Sequence, residues 1–286
     1  MNSSLPVFHS IYPNGQQGNL SLLSKENLPT MYDLPSEDPE EPGLPDEFHY
    51  LQPQLLQFTF RPPEYYPHQV FSGADMNLYY DAAHHNWHKR PDWFGVVGVS
   101  RLYNHNDLRL SYVIWQEEIS PFVIVELLSP GTEKEDLGET ERSANRPPTK
   151  WEVYEQILQV PYYVVFNRYN NQLQAFHLES GQYQKMPIES RILMPEIKLS
   201  LGLWQGEYQG INRLWLRWYD AEGTLILTDA EKEKLRADAA KQLADAAEQR
   251  ADAAEQRADT AEQRADTAEQ RAEYLAQRLR ELGIEP

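Results

Sequence analysis

Residues 237–278 form six consecutive heptads, and this repeat restricts their segment of the chain to a long helix. The unit at 244–250 is typical, with Ala at the first and fourth places (a and d), and three near copies follow it. Glu then occupies e and Arg occupies g, so opposite charges meet in a parallel pair and like charges in an antiparallel pair. The repeat therefore predicts a homodimer through a parallel coiled coil at 237–278. A solvated single helix is the alternative, because alanine buries little apolar area.

Composition divides the remainder of the chain. Residues 1–48 are rich in Pro, Ser, Asp and Glu without a sustained period, and we expect a partly disordered arm there. From 49 to 228 the chain is aromatic and apolar, which predicts one folded domain, and the helical tail follows at 229–286. Apolar runs in the domain predict strands at 76–80, 93–99, 108–115 and 122–128.

The second half of this domain continues with a helix and another strand. Thr149 has the side chain of an N-cap, and the apolar residues after it fall mostly on one helical face. Residues 162–166 then have the composition of a strand. Together with the run at 122–128, this order predicts a βαβ-like unit, and hence an α/β or α+β domain with helices on a mixed sheet.

Composition also excludes several classes of protein. The chain has no cysteine, which rules out disulfides and thiolate metal sites and agrees with a reducing compartment. Its apolar runs are all shorter than the roughly 20 residues that span a membrane, and its first residues lack the layout of a signal peptide. We therefore expect a cytoplasmic protein without a membrane partner.

The formal net charge of -18 argues against nonspecific coating of nucleic acid, because phosphate contacts are normally made by Lys or Arg. The flanks at 1–50 and 221–286 contribute -7 and -6, which leaves -5 for the central region. A local basic rim is therefore compatible with the composition, although scattered solubilising charge is the simpler interpretation. The candidates are Lys89, Arg90, Arg101 and Arg109.

Glu126 stands alone in the apolar run at 121–130, and Asp92 opens the apolar run at 93–99. A buried isolated carboxylate is costly unless it is paired, protonated or bound to a metal. Mg²⁺ prefers hard oxygen ligands, so two converging acids, with the carbonyl of Leu127 as a third ligand, could hold it. Lys150 would then orient a metal-activated water or neutralise developing charge. From composition alone, a satisfied structural ion pair is the commoner outcome for such an acid.

Two other groups of residues are weaker candidates for a functional site. A transition-metal site from His84, His85 and His88 is less expected than exposed loop histidines. Ser129 lacks the strand, turn and helix setting of a hydrolase nucleophile, so we reject that role.

The order of these residues resembles a known family. Pro91-Asp92 is followed by Val-Ile-Val-Glu-Leu-Leu-Ser-Pro-Gly at 123–131, and then by Lys150 and Tyr154 four residues apart. This order is similar to the putative restriction endonuclease family of the PD-(D/E)xK nuclease superfamily, over roughly 71–219. The heptad tail also resembles that of many members.

The resemblance implies a restriction-endonuclease-like fold and a Mg²⁺-dependent endonuclease, with Mn²⁺ as a substitute ion, that hydrolyses DNA. It implies that Asp92 and Glu126 bind the metal and that Lys150 completes the catalytic set. Tyr154, with Lys89 and Arg90, would contact the DNA backbone. The family carries another acid shortly after Glu126; Asp136 matches it, and would either hydrogen-bond to the metal-binding residues or solvate its loop.

The chain departs from the superfamily pattern at one position. The usual lysine two residues after the second acid is Leu128 here, and Lys150 on the following helix takes its place in the resemblance. A catalytically inactive scaffold that keeps the fold and joins partners through the coiled coil is therefore the alternative function. A phosphodiesterase acting on RNA or a nucleotide would use the same metal chemistry.

Overall fold

The computed structural model describes residues 46–129, 131, 133–140 and 146–283, so most of the predicted arm at 1–48 lies outside the described residues. The chain divides into two units after residue 50, and the sheets and the candidate site all belong to the second, 51–286.

A six-stranded mixed sheet forms the centre of this unit. Only its middle pair, β6 (Val123–Leu127) with β7 (Tyr162–Asn167), is parallel, and the other neighbouring strands are antiparallel. All five residues of β6 are buried, as expected for a strand covered on both faces. In spatial order the strands are β1 (Val70–Gly73), β4 (Trp93–Val97), β6 (Val123–Leu127), β7 (Tyr162–Asn167), β8 (Gln172–Glu179) and β9 (Gln182–Lys185).

The connection between β6 and β7 covers one face of the sheet. It contains α3 (Glu133–Asp136) and α4 (Lys150–Glu152), and α4 runs directly into a π-helical turn at Val153–Ile157. Thr149 caps α4 in a reciprocal capping box with Glu152, as the sequence predicts. The predicted strand, helix, strand unit is confirmed by the parallel pairing of β6 with β7.

The opposite face of the sheet is covered by aromatic residues from outside it. Trp93 of β4 packs against Phe60, which follows α1 (Glu47–Thr59), and against Trp218 of β12 (Ile211–Asp220). The strand β12 belongs to a three-stranded antiparallel sheet with β10 (Arg191–Met194) and β11 (Leu199–Tyr208). A second small sheet joins β3 (His88–Lys89), β2 (Leu78–Tyr79) and β5 (Tyr112–Val113).

The predicted strand at 108–115 is largely wrong. Only Tyr112–Val113 is a strand, and the short helix α2 (Ile114–Glu117) follows it. The reason is Arg109, whose guanidinium is buried between the carboxylate of Glu117 and backbone carbonyls at 100–101. A loop can wrap around such a buried cation, whereas a strand would direct its backbone carbonyls to a neighbouring strand.

Helix α1 was not predicted because polar residues interrupt its buried apolar face. Gln52 is fully buried, and its amide both donates to and accepts from the backbone of Leu216 in β12. A buried glutamine interrupts the apolar periodicity by which a helix is recognised in sequence.

The tail forms a single helix, α5 (Asp229–Glu281), capped at Thr228 by a second reciprocal capping box, with Glu231. Arg217 of β12 is fully buried and donates to both carboxylate oxygens of Glu231 at 2.9 Å. It also donates to the carbonyl of Ile226 and lies over the ring of Trp204. These contacts fix the first turn of α5 to β12, while no residue of α5 itself is buried. Among the described residues, no helix is long and apolar enough to cross a membrane.

Candidate active site

Asp92 and Glu126 lie side by side at one end of the β4–β6 pair. The register Trp93↔Val125 places the next two residues, Asp92 and Glu126, opposite each other, where antiparallel strands direct side chains to the same face. The N–H of Asp92 donates to Glu126 Oε2 at 3.3 Å, and the N–H of Leu127 donates to Asp92 Oδ2 at 2.6 Å. Each acid is thus held by the backbone of the other acid's strand.

Glu126 is completely buried, yet several donors surround its carboxylate. Tyr154 donates its hydroxyl to Oε1 at 2.9 Å, and Lys150 Nζ lies 3.2 Å from Oε2. Burial raises the pKa of Glu126 well above its ordinary value, and the charges of Asp136 and Asp92 add to this. The ammonium of Lys150 and the Tyr154 hydroxyl oppose the rise.

Lys150 reaches the acids from the covering helix. Strand alternation places Glu126 and Leu128 on the same face, where Leu128 is part of the hydrophobic core. The ammonium group of Lys150 approaches this face from helix α4. It lies 2.7 Å from Asp136 Oδ1 and also near Glu126. Burial alone would lower the pKa of Lys150, but the surrounding carboxylates outweigh it and raise the pKa above its ordinary value. Lys150 therefore stays cationic at neutral pH.

Asp136 is buried and bound to Lys150, so it belongs to the cluster rather than to a solvated loop. Its backbone carbonyl accepts the hydroxyl of Tyr163 on β7 at 2.7 Å. Tyr163 was missed by the sequence reasoning. Its only signal was a hydroxyl in the otherwise apolar run at 162–166, where a tyrosine is equally well explained by packing.

Tyr154 does not occupy the position expected of a DNA contact. It is fully buried on the π-helical turn, and its hydroxyl faces Glu126. The prediction that it contacts the DNA backbone therefore needs correction: Tyr154 positions an acid of the site. A π-turn in a helix is frequently found at functional sites, and here it keeps three consecutive residues buried, Val153, Tyr154 and Glu155.

The four basic residues of the predicted rim are not brought together. Lys89 pairs with Glu135 at 3.3 Å and Arg90 with Asp75 at 2.8 Å, and both are close to Asp92 in the chain. Arg109 is buried over the ring of Phe71 and has no place on a rim. Of the three loop histidines, His84 bonds to Asp81 and stacks on Trp87.

The donor set fits a magnesium ion. Both candidate ligands are carboxylates, which are hard oxygen donors, and they converge from adjacent strands. Across the part of the chain that the structure describes, no group of three or more His, Asp or Glu side chains is arranged to hold an ion. Mg²⁺ is commonly bound by one or two carboxylates with waters and substrate phosphate, so a two-acid site is sufficient.

The protein therefore has a mixed α/β fold. Its candidate site consists of two acids from the β4–β6 pair and one lysine from the covering helix. The chain matches the Uma2 family, described as "Putative restriction endonuclease", over residues 21–211, and it belongs to that family. Residues 224–280 match the family described as "Alanine-zipper, major outer membrane lipoprotein". The resemblance stated from the sequence and the mixed α/β fold with its long C-terminal helix are thus confirmed.

A solved structure is also similar to this chain: a putative nuclease belonging to DUF820 from Anabaena variabilis ATCC 29413. The identity is 7% and the TM-score is 0.34, with 53% of this chain and 69% of that chain covered. No curated protein matches the chain.

Proposed function

We propose that the protein is a Mg²⁺-dependent endonuclease that hydrolyses phosphodiester bonds of DNA. The observation that carries this proposal is the convergence of Asp92, Glu126 and Lys150 at one end of β4 and β6. Membership of a family described as "Putative restriction endonuclease" supports the same reaction class.

In this proposal Asp92 and Glu126 hold the ion, and the carbonyl of Leu127 is the expected third protein ligand. The backbone of Leu127 already reaches Asp92 through its N–H. Bound Mg²⁺ supplies an activated water and stabilises negative charge on the scissile phosphate.

The protein's own groups supply charge and position. Lys150 is a permanent cation at neutral pH beside Glu126, where it orients the attacking water or offsets charge that develops on the phosphate. Asp136 fixes the lysine from one side, and Tyr154 fixes the carboxylate of Glu126. Such contacts hold the ligands in place before substrate arrives, which limits reorganisation during the reaction.

DNA would reach this site through Lys89 and Arg90. Both take part in ion pairs that involve an exposed or partly exposed partner, and such pairs contribute little to stability. A phosphate oxygen can therefore replace Glu135 or Asp75 at small cost, and the cations would then position the backbone.

A plasmid cleavage assay tests the proposal. Supercoiled DNA is incubated with the purified full chain in Mg²⁺ or Mn²⁺, and in EDTA, alongside Asp92→Asn, Glu126→Gln and Lys150→Met. We expect metal-dependent cleavage that falls by about 100-fold or more in each variant, as for the loss of one catalytic donor. The matched control is Glu233→Gln, which removes an exposed acid of α5 that pairs with Arg236.

The outcome that contradicts the proposal is cleavage that persists unchanged in all three variants. The net charge of -18 and the absence of the strand lysine at Leu128 favour a noncatalytic scaffold as the second candidate. That function predicts no cleavage of DNA or RNA in either metal by a protein whose circular dichroism and unfolding transition are normal. Cleavage of RNA without cleavage of DNA would reassign the substrate while keeping the site.

A further inference from the structure

One face of the small sheet formed by β3, β2 and β5 carries aromatic rings that lie outside the core. Leu78 and Tyr112 are fully buried and place the other face of this sheet on the hydrophobic core. Because side chains alternate along a strand, Tyr79 of β2 lies on the outer face. Its ring centroid is 5.2 Å from that of His88, which opposes it on β3, and 6.3 Å from that of Trp115 on α2.

This row of rings continues at His85, whose centroid is 5.9 Å from that of Trp115. Trp115 is 38% exposed, and the two histidines are exposed as well. The residue of this loop that packs against the core is instead Trp87, on which His84 stacks. The exposed row therefore has free ring surface, and we call it the aromatic platform: Tyr79, His85, His88 and Trp115.

The aromatic platform is close in the chain to the candidate active site. The strand β3 begins at His88, and Asp92 follows four residues later. Their Cα atoms are thus at most about 13 Å apart, at ~3.3 Å per extended residue. A DNA strand advances about 3.4 Å per nucleotide along a duplex, so a base on the platform is roughly four nucleotides from a phosphate at the two acids.

The aromatic platform and the catalytic lysine cover the same face of the central sheet. Leu78 and Tyr112, which lie beneath the platform, belong to one hydrophobic cluster with Tyr154. Tyr154 in turn bonds to Glu126. A DNA strand that extends from the platform to the acids therefore stays on one side of the domain.

The charge of the protein favours base stacking over phosphate contacts as the source of affinity. The net charge is -18, and of the predicted basic rim only Lys89 and Arg90 lie beside the acids in the chain. Few cations give few phosphate contacts, and hence weak electrostatic binding. Stacking of a base on an aromatic side chain strengthens binding by about 5- to 150-fold per base and needs no cation. The base must be unpaired, because a base inside a duplex is already stacked on its neighbours.

We propose that the aromatic platform binds unpaired bases of a DNA strand beside the cut, so that the substrate is DNA in which a single-stranded segment adjoins a duplex. This inference deepens the proposed function and rests on it for the cut itself, whereas stacking requires neither metal nor catalysis. Two of the loop histidines, His85 and His88, take part through their rings. Supercoiled plasmid remains a suitable substrate, because negative supercoiling favours local unpairing.

Binding in EDTA tests the platform without cleavage. Fluorescence anisotropy compares the full chain on one DNA sequence in three forms: a single strand, an intact duplex, and a duplex with a gap of about four nucleotides. We expect the first and third forms to bind at least about tenfold more tightly than the intact duplex. Tyr79→Ala and Trp115→Ala should each weaken binding to the single strand by about 5- to 150-fold. Trp115→Phe keeps an aromatic face and should retain most of the affinity.

Tyr274→Ala is the matched control, because it removes a 62% exposed aromatic ring of α5 outside the platform. It should bind like the parent, and circular dichroism checks that every variant is folded. A salt series then separates stacking from charge. The slope of log affinity against log salt should be unchanged in Trp115→Ala, because stacking releases no counterions, and should fall by about 1 in Arg90→Met.

Three results would overturn the proposal: equal affinity of the parent for gapped and intact duplex, unchanged affinity in both alanine variants, or no binding to any of the three DNAs. Cleavage in Mg²⁺ is measured separately. If the alanine variants lose binding and the parent cuts none of the DNAs, the proposed endonuclease is wrong and the platform stands. If the parent cuts gapped and intact duplex at equal rates, the endonuclease stands and the platform is refuted.

Discussion

The carboxylate of Glu126 has no access to solvent, so its neighbours must replace the water it has lost. They do so from three directions: the backbone N–H of Asp92, the ammonium of Lys150 and the hydroxyl of Tyr154. This preorganisation makes the site sensitive to single atoms. Removing one donor leaves a buried acceptor partly unsatisfied, and that cost is larger than the net gain from an ordinary hydrogen bond.

Tyr154→Phe removes one such donor and leaves the ring packing in place. We expect a loss of about 1–3 kcal/mol in the free energy of unfolding by urea, because the buried carboxyl group of Glu126 loses a hydrogen-bond donor. We also expect slower metal-dependent plasmid cleavage, because Glu126 is held less firmly.

Tyr183→Phe is the matched control. Its hydroxyl is also buried but donates to the carbonyl of Val160, away from the acids. It should lower stability by about 1 kcal/mol and leave the cleavage rate unchanged. Equal effects of the two substitutions on cleavage would show that Tyr154 has only a packing role.

Much of the candidate site follows from the sequence, and its limits have physical causes. Asp92 and Glu126 stand out because each acid borders or interrupts an apolar run, and strand pairing then brings them together. Lys150 was proposed from its position at the head of the predicted helix, and the family resemblance supported that choice, since composition alone does not show which lysine folds over a strand. The contact of Tyr154 with Glu126 depends on a π-helical turn, which shifts the register of side chains without a clear sequence signal.

At the scale of elements, α5 depends on its first turn. Thr228→Ala removes the side chain that accepts the N–H of Glu231 and should cost about 1 kcal/mol. Faster amide exchange at the start of α5, measured by hydrogen exchange, checks this loss. Thr260→Ala is the same substitution in an exposed part of the same helix, where the hydroxyl bonds to the carbonyl of Gln256. It should be neutral or slightly stabilising, because alanine has the higher helix propensity.

The ion pair between Arg217 and Glu231 makes the attachment of α5 dependent on pH. Partial burial raises the pKa of Glu231, but hydrogen bonds from Arg217 and the N–H of Thr228 outweigh it and lower the pKa below the ordinary value. Because the folded-state pKa is the lower one, this stabilisation is present above the unfolded-state pKa of about 4.3 and is lost as pH falls through the folded-state pKa.

Glu231→Gln should abolish this loss of stability at acid pH. It should also lower the free energy of unfolding by about 1–3 kcal/mol at neutral pH, because Arg217 loses its charged acceptor. Urea unfolding at a series of pH values from about 3 to 7 measures both effects. Glu233→Gln, on the exposed side of the same helix, is the control. An identical pH profile for parent and Glu231→Gln would contradict the role assigned to this pair.

The elements that sequence predicted well are those with one dominant period. The strands β4 and β6 lie within the predicted apolar runs, β7 extends one residue beyond the run at 162–166, and the tail is helical throughout its heptads. The segment at 108–115 and helix α1 were mispredicted or missed because a buried polar residue, Arg109 or Gln52, determines the backbone there. Gln52 bonds to a strand that is remote in the chain, and Arg109 bonds to loop carbonyls. No local sequence pattern shows such contacts.

At the scale of the whole molecule, the homodimer that the heptads of α5 predict should change the products of DNA cleavage. If two sites act from the same end of the coiled coil, the parent should convert supercoiled plasmid to the linear form with little nicked circle. A variant in which the arginines at 250, 257 and 264 become glutamate should be monomeric and accumulate nicked circles, since each monomer cuts one strand. Gel electrophoresis over time distinguishes these forms, and adding a variant in which the glutamates at 255, 262 and 269 become arginine should restore the linear product. If the monomeric variant alone gives linear product, double-strand cleavage does not require pairing and this prediction is wrong.

The fixed start of α5 has a kinetic consequence. Only the turns between Asp229 and residue 237 separate the folded domain from the predicted coiled coil, so little flexible chain would connect the two domains of a homodimer. After one strand is cut, the partner's site would behave as a tethered reactant, with an effective concentration on the order of millimolar. The second cut would then proceed at a rate independent of the protein concentration in solution.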